Sequence, residues 1–162
     1  MRYHNITKDD MRNGDGLRVV LWVSGCPHGC PGCHNPLTWD ENSGLKFGQD
    51  AFDEICEQLD KDYIDGITLS GGDPLHPANR DHITILVVKL KYLYPNKTIW
   101  MYTGYLYDDV KNLECMKYVD VLCDGRFVEA LKDVKTPWVG STNQRVIDVP
   151  KTRRENQIVL WG

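Results

Sequence analysis

No apolar run in this sequence is long enough to span a bilayer, and the opening stretch Met1-Arg2-Tyr3-His4-Asn5-Ile6-Thr7-Lys8-Asp9-Asp10 contains no hydrophobic segment of the kind that directs export. A cytoplasmic protein with no membrane partner is the expectation. Basic residues are in deficit as well: 19 Lys and Arg stand against 23 Asp and Glu, for a net charge of -4, which argues against nucleic acid as a partner. Repeats, low-complexity tracts and long linkers are missing too. A chain of 162 residues can bury one good core but not two ordinary ones, so residues 1–162 read as a single domain. With no export signal, the six cysteines are expected as thiols or metal ligands instead of three disulfides.

Hydrophobic periodicity supplies the elements. Residues 18–24 form a β-branched, apolar run that reads as a buried strand. Residues 50–61 read as a helix with Asp50 as N-cap and with Phe52, Ile55, Cys56 and Leu59 on one face. Residues 66–70 make a second strand and 79–93 a second helix, carrying Ile83, Leu86, Val87, Leu90 and Leu93 at helical spacing. A strand over 97–103, a short helix over 108–117 and a strand over 118–123 follow, and beyond Asp124 the pattern is mixed. Strands alternating with amphipathic helices predict an α/β fold with a mostly parallel, curved sheet. Because a closed eight-unit barrel takes about 250 residues, the expectation is an open, partial (βα) barrel. Two loops, 25–38 and 71–77, leave the carboxyl ends of predicted strands, where α/β sheets bind ligands, and should share one mouth.

The first of these loops carries Cys26, Cys30 and Cys33 at a C-x3-C-x2-C spacing among Gly and Pro residues. Glycine lets the backbone turn several side chains toward one point, and thiolates suit iron–sulfur clusters and zinc. Electron-carrier clusters and structural zinc both ask for four ligands, so three clustered thiols leave one position open. A zinc knuckle completed by His28, His34 or a distant cysteine is the plainer alternative. His28 reads as a solvated loop residue, and His34, just after the last cysteine, as a ring able to pack beside a cofactor. In the second loop, Ser70-Gly71-Gly72-Asp73-Pro74 is by itself an ordinary turn, but Gly71 and Gly72 also allow close backbone approach to a ligand. Valine at Gly72 is then expected to weaken cofactor binding and spare a cluster.

The cysteine spacing followed by an aromatic residue resembles the signature of the radical S-adenosylmethionine (SAM) superfamily, and Ser70-Gly71-Gly72-Asp73-Pro74 resembles its Gly-Gly-Glu-type motif. Together with Asn13-Gly14-Asp15-Gly16-Leu17-Arg18, Tyr102-Thr103-Gly104-Tyr105, Asp124-Gly125-Arg126-Phe127 and Gly140-Ser141-Thr142-Asn143-Gln144-Arg145-Val146-Ile147-Asp148, the chain is similar to the activating proteins of anaerobic ribonucleoside-triphosphate reductase. Asp15, where proline is common in that family, and His34, where tyrosine is frequent, depart from the pattern without removing a thiol.

What the resemblance implies is an oxidoreductase of the glycyl-radical activase type. Cys26, Cys30 and Cys33 would hold a 4Fe-4S cluster, and Gly32, Cys33, His34, Gly71, Gly72 and Asp73 would contact the cofactors. No catalytic side chain beyond cluster and SAM is implied. The protein substrate would be the large reductase, with an external electron donor such as a flavodoxin or ferredoxin. Activation of another glycyl-radical enzyme, radical chemistry on a small molecule, or a non-catalytic zinc or iron–sulfur module are the rival readings. No role for Asp124, Arg126 or residues 143–148 follows from the sequence. Replacing Cys26, Cys30 or Cys33 by Ala is expected to abolish iron and sulfide incorporation, whereas Cys56→Ala leaves it intact; metal and sulfide per chain measure both.

Overall fold

The segment Arg18-Val19-Val20-Leu21-Trp22-Val23 is apolar on both of its faces, which only a strand inside a sheet can bury, and inside a sheet is where it lies. The computed structural model describes residues 1–33 and 36–162, with the backbone alone for Leu37. Seven strands form one open sheet in the order β3-β1-β2-β4-β5-β6-β7. They are β1 (Arg2–Asp10), β2 (Arg18–Val23), β3 (Leu45–Lys46), β4 (Gly66–Gly71), β5 (Thr98–Tyr102), β6 (Val121–Asp124) and β7 (Arg145–Asp148). Neighbours among β2, β4, β5 and β6 are parallel. The flanks are not: β1 runs antiparallel to β2, β3 to β1, and β7 to β6. The expected parallel sheet is therefore the centre of a mixed one. β1 escaped the sequence reading because it is a polar strand in which Ile6 alone is buried.

Helices α1 (Gln49–Leu59), α2 (Arg80–Leu93), α3 (Tyr107–Val110) and α4 (Val149–Glu155) complete the regular structure. α1 starts one residue before its expected cap; Gly48 precedes it, and Asp50 sits in the first turn. The helix expected over 108–117 is two short pieces, α3 and a 3-10 turn at Glu114–Lys117. α4 was not foreseen, although its start follows the usual rules: Asp148 accepts a hydrogen bond from Lys151 N–H, and a proline occupies the first turn.

Alternate residues of the strands divide the interior in two. Val19, Leu21, Val23, Ile67, Leu69, Ile99, Met101 and Leu122 pack with Ile55 and Leu59 of α1 and with Ile83, Leu86, Val87 and Leu90 of α2 in the main core. On the opposite face a smaller cluster joins Trp100, Val121 and Cys123 to Tyr102, Trp138 and Trp161. Trp100 meets Trp138 and Trp161 edge-on, at centroid distances of 5.7 and 5.1 Å.

At the amino ends of the strands the smaller cluster is bounded by Arg18, which is 1% exposed. Its guanidinium makes five hydrogen bonds: to Thr68 Oγ1, to the Asp15 carbonyl, to Thr98 Oγ1, and to the Ile67 and Thr98 carbonyls, at 2.7–3.0 Å. Burial lowers its pKa to about 10, against the opposing pull of Asp65, Asp120 and Asp15, so it is charged at neutral pH. One side chain thus stitches β2, β4 and β5. Arg18→Leu leaves buried carbonyls without donors and is expected to destabilise the fold by about 3–5 kcal/mol. Arg18→Lys, a point donor in place of a planar fork, should recover less than half of that loss. Denaturant midpoints at constant m-value measure both.

Candidate functional site

Register aligns the carboxyl ends of the central strands, with Val23 opposite Gly71 and Tyr102 opposite Cys123. The loops leaving those ends enclose a cleft of about 130 Å³ lined by Cys26, Cys30, Cys33, Gly71, Gly72 and Asp73, as well as His28, Tyr102 to Gly104, Arg126 and Gln144. Most of the sequence-predicted site residues therefore meet in one place. His34 lies outside the described residues, and Gly32 sits beside this wall, against the Glu129 carboxylate. Its volume is below the roughly 300–1,000 Å³ of a pocket that encloses a whole small ligand, so a molecule bound here extends out of the mouth. A larger cavity of about 560 Å³ opens at the other end of the strands, beside Arg18, Trp100 and Trp161. It holds no thiol, and the donors of its buried arginine are already engaged.

The cysteine loop is pinned at both stems. Gly25 N–H bonds the Thr38 carbonyl at 2.6 Å and Cys26 N–H the Trp39 carbonyl at 3.0 Å, while Asp73 N–H reaches back to the Gly25 carbonyl at 2.6 Å. Asn79, buried at the start of α2, donates from its side-chain amide to the Ser24 and Asp73 carbonyls. Between the stems the three thiols are half-buried, and none of the six cysteines is in a disulfide. Burial pushes the Cys26 thiol up, with Asp73, Cys30 and Cys33 adding to the effect, so its proton must be displaced on metal binding. Cys115 and Cys123 differ. Burial raises them to about 11 and about 12, and they stay protonated in the core.

The donor set fits an iron–sulfur cluster. Three half-buried thiols that line one cleft can each give a thiolate to a different iron.

Asp73 is the surprise of the second loop. Its side chain is 1% exposed and both of its oxygens are engaged. Oδ2 accepts from His28 Nε2 at 2.6 Å, Thr103 Oγ1 at 3.0 Å and Gly104 N–H at 2.9 Å, and Oδ1 accepts from Leu75 N–H at 2.8 Å. His28 is accordingly not a solvated residue: its side chain is 3% exposed and its ring meets Tyr105 edge-on at 4.6 Å. Thr103 and Gly104, quoted in the sequence without a role, form the opposite wall; their signal was their place at a strand end. Gly104 has no room for a side chain because the His28 ring lies there.

Asp124, fully buried, forms a two-pronged ion pair with Arg145 at 3.0 and 2.6 Å and accepts from Tyr107 N–H. That contact raises the Arg145 pKa. Arg126 lines the mouth. Gln144 and Asn143 hold the carbonyls of Gly125 and Arg126, so residues 143–148 fold back along β6 and fasten the loop after it.

The expectation for Gly72 also changes. A Cβ there would stand 2.5 Å from the Gly25 carbonyl and 2.7 Å from that of Thr38, the two stems of the cysteine loop. Gly71 beside it has φ +108° and equally close neighbours in β2. Gly72→Val should therefore lower cluster content and unfolding temperature together, instead of sparing the cluster. Iron and sulfide per chain and a thermal scan measure it; full content with unchanged melting would contradict this geometry.

A family described as a 4Fe-4S single cluster domain matches residues 12–147. Curated relatives cover nearly the whole chain. The anaerobic ribonucleoside-triphosphate reductase-activating protein of Enterobacteria phage T4 is 47% identical over 146 residues, 90% of this chain and 93% of its own. The protein of the same name from Escherichia coli K12 is 45% identical over 150 residues, 90% of this chain and 97% of its own. That of Vibrio cholerae is 41% identical over 148 residues, 89% and 96% of the two chains.

Proposed function

The chain belongs to the family of anaerobic ribonucleoside-triphosphate reductase-activating proteins, and from that premise we propose that it is a radical SAM activase that generates a glycyl radical on the large reductase. The observation that carries the proposal is the meeting of Cys26, Cys30 and Cys33 with Gly71 and Gly72 in one cleft at the carboxyl ends of parallel strands. Residues 1–162 then act as one radical SAM domain, its sheet an incomplete (βα) barrel, working in the cytoplasm. No helix among the described residues is long and apolar enough to cross a membrane.

A 4Fe-4S cluster held by these thiols would supply the electron for reductive cleavage of bound SAM. The chain's own part is ligation, orientation and exclusion. Cys26, Cys30 and Cys33 give one thiolate each. Gly32, Cys33 and His34, consecutive in the sequence, and Gly71 and Gly72 would form the SAM-contacting set. Asp73 belongs to that set by holding it together, since its carboxylate is spent on His28, Leu75, Thr103 and Gly104.

The mouth, rimmed by Trp39, Arg126 and Phe127, is left open for the partner. A glycine in an extended loop is the substrate such a mouth admits, because it brings a reactive Cα–H with no side chain to exclude. The chain's own contribution would be to hold that Cα–H in attack range of the bound cofactor. An electron donor of the flavodoxin or ferredoxin kind completes the cycle.

Reduced protein mixed with SAM and the large reductase is expected to give a glycyl signal in electron paramagnetic resonance (EPR), and deuterium placed on the target α-carbon should appear in 5′-deoxyadenosine. Cleavage of SAM without label transfer would remove the activase reading and leave radical SAM chemistry on another substrate.

A further inference from the structure

Among the described residues a single buried side-chain nitrogen or oxygen lacks a hydrogen-bond partner, and it is Nδ1 of His28. Buried polar atoms are nearly always satisfied, and leaving one unmade is costly, so an orphan in a functional cleft asks for a ligand.

Everything else about the ring is accounted for. Nε2 donates to Asp73 Oδ2 at 2.6 Å. That carboxylate otherwise meets only donors, from Leu75, Thr103 and Gly104. Tyr105 closes one side at 4.6 Å and an interplanar angle of 74°, and Gly104 leaves the ring its space. Held in this way, the imidazole cannot turn to bring Nδ1 to another partner. His28 lies between Cys26 and Cys30 in the sequence, and it lines the same cleft as all three thiols.

We propose that His28 donates a hydrogen bond from Nδ1–H to a sulfur of the iron–sulfur cluster held by Cys26, Cys30 and Cys33, and that Asp73 fixes the ring for this contact. The proposal rests on the cluster assignment made above. Sulfide and thiolate sulfurs are hydrogen-bond acceptors, the kind of partner that an N–H donor takes. Hydrogen bonds to sulfur are among the levers that set a cluster's reduction potential, and a donor raises it by stabilising the more negative, reduced state. His28 is thus a positioning and tuning residue, not a ligand. Through Asp73 it also ties the cluster loop to the end of β5.

Glutamine and asparagine separate the two ends of the ring. Counted in bonds from Cγ, the amide nitrogen of Gln falls where Nε2 stands and that of Asn where Nδ1 stands. Chemically reconstituted His28→Gln is expected to keep iron, sulfide and melting temperature near those of the unmutated chain. Its midpoint potential, read by EPR-monitored titration, should move to more negative values with an altered EPR signal. His28→Asn should lose melting temperature, having lost Asp73, while its potential stays closer to the original. EPR reads only cluster-bearing chains, so partial loading leaves the comparison valid. Loading of His28→Asn but not of His28→Gln would support the proposal through the same contact. Loading of both with unchanged potential, or of neither, would overturn it in favour of a purely structural histidine. An unmutated chain that takes up no iron and sulfide would instead remove the cluster assignment, and that is seen before any variant is made.

Discussion

A single carboxylate organises the site. Asp73 draws donors from the cysteine loop, from its own turn and from the loop after β5, and its backbone N–H bonds the stem of the cysteine loop as well. Hydrogen bonds to an ionised acceptor are shorter and stronger than neutral ones, and they gain further where water is excluded. The same exclusion makes the charge expensive to leave unmatched. Among the described residues its one ionisable partner is His28. The positions of the thiols, of the glycine pair and of the β5 loop are therefore one arrangement, not three. Gly72 and Gly104 let the backbones come close enough for it to form.

How much of this could be read in advance depended on range. The strands at 18–23, 66–71 and 98–102 announce themselves as β-branched runs, and the cysteine spacing announces ligation within eight residues. The rule that ligands gather at the carboxyl ends of parallel strands then places both loops at one mouth from the sequence alone. β1 gave too little signal, because a polar strand with one buried residue shows no alternation of buried and exposed apolar positions. β7 and α4 lay in a stretch of mixed pattern and owe their places to pairing with β6 and to the cap at Asp148. His28 was misread for a different reason. Its partner lies 45 positions away, and no local pattern tells that a loop histidine will meet a buried carboxylate.

The two ends of the sheet divide the labour. At the amino ends Arg18 satisfies carbonyls and hydroxyls that would otherwise face a cavity, and Trp100, Trp138 and Trp161 fill the space above it. At the carboxyl ends Asp73, Asp124 and Asn79 hold loops in place and leave the thiols exposed to whatever enters. Arginine suits the first task because its five donors form a rigid fork, and aspartate the second because its oxygens only accept. The chemistry is thus placed on elements whose positions are fixed from the opposite end by packing.

The stems of the cysteine loop close on each other through Gly25 with Thr38 and Cys26 with Trp39, and among the described residues between them none belongs to the buried apolar core. In zinc-finger domains metal binding and folding are one event, so a chain stripped of metal is a chain unfolded. Here the described part of the loop lends the core no apolar side chain, so the packing that holds the sheet and its helices together is independent of what the loop carries.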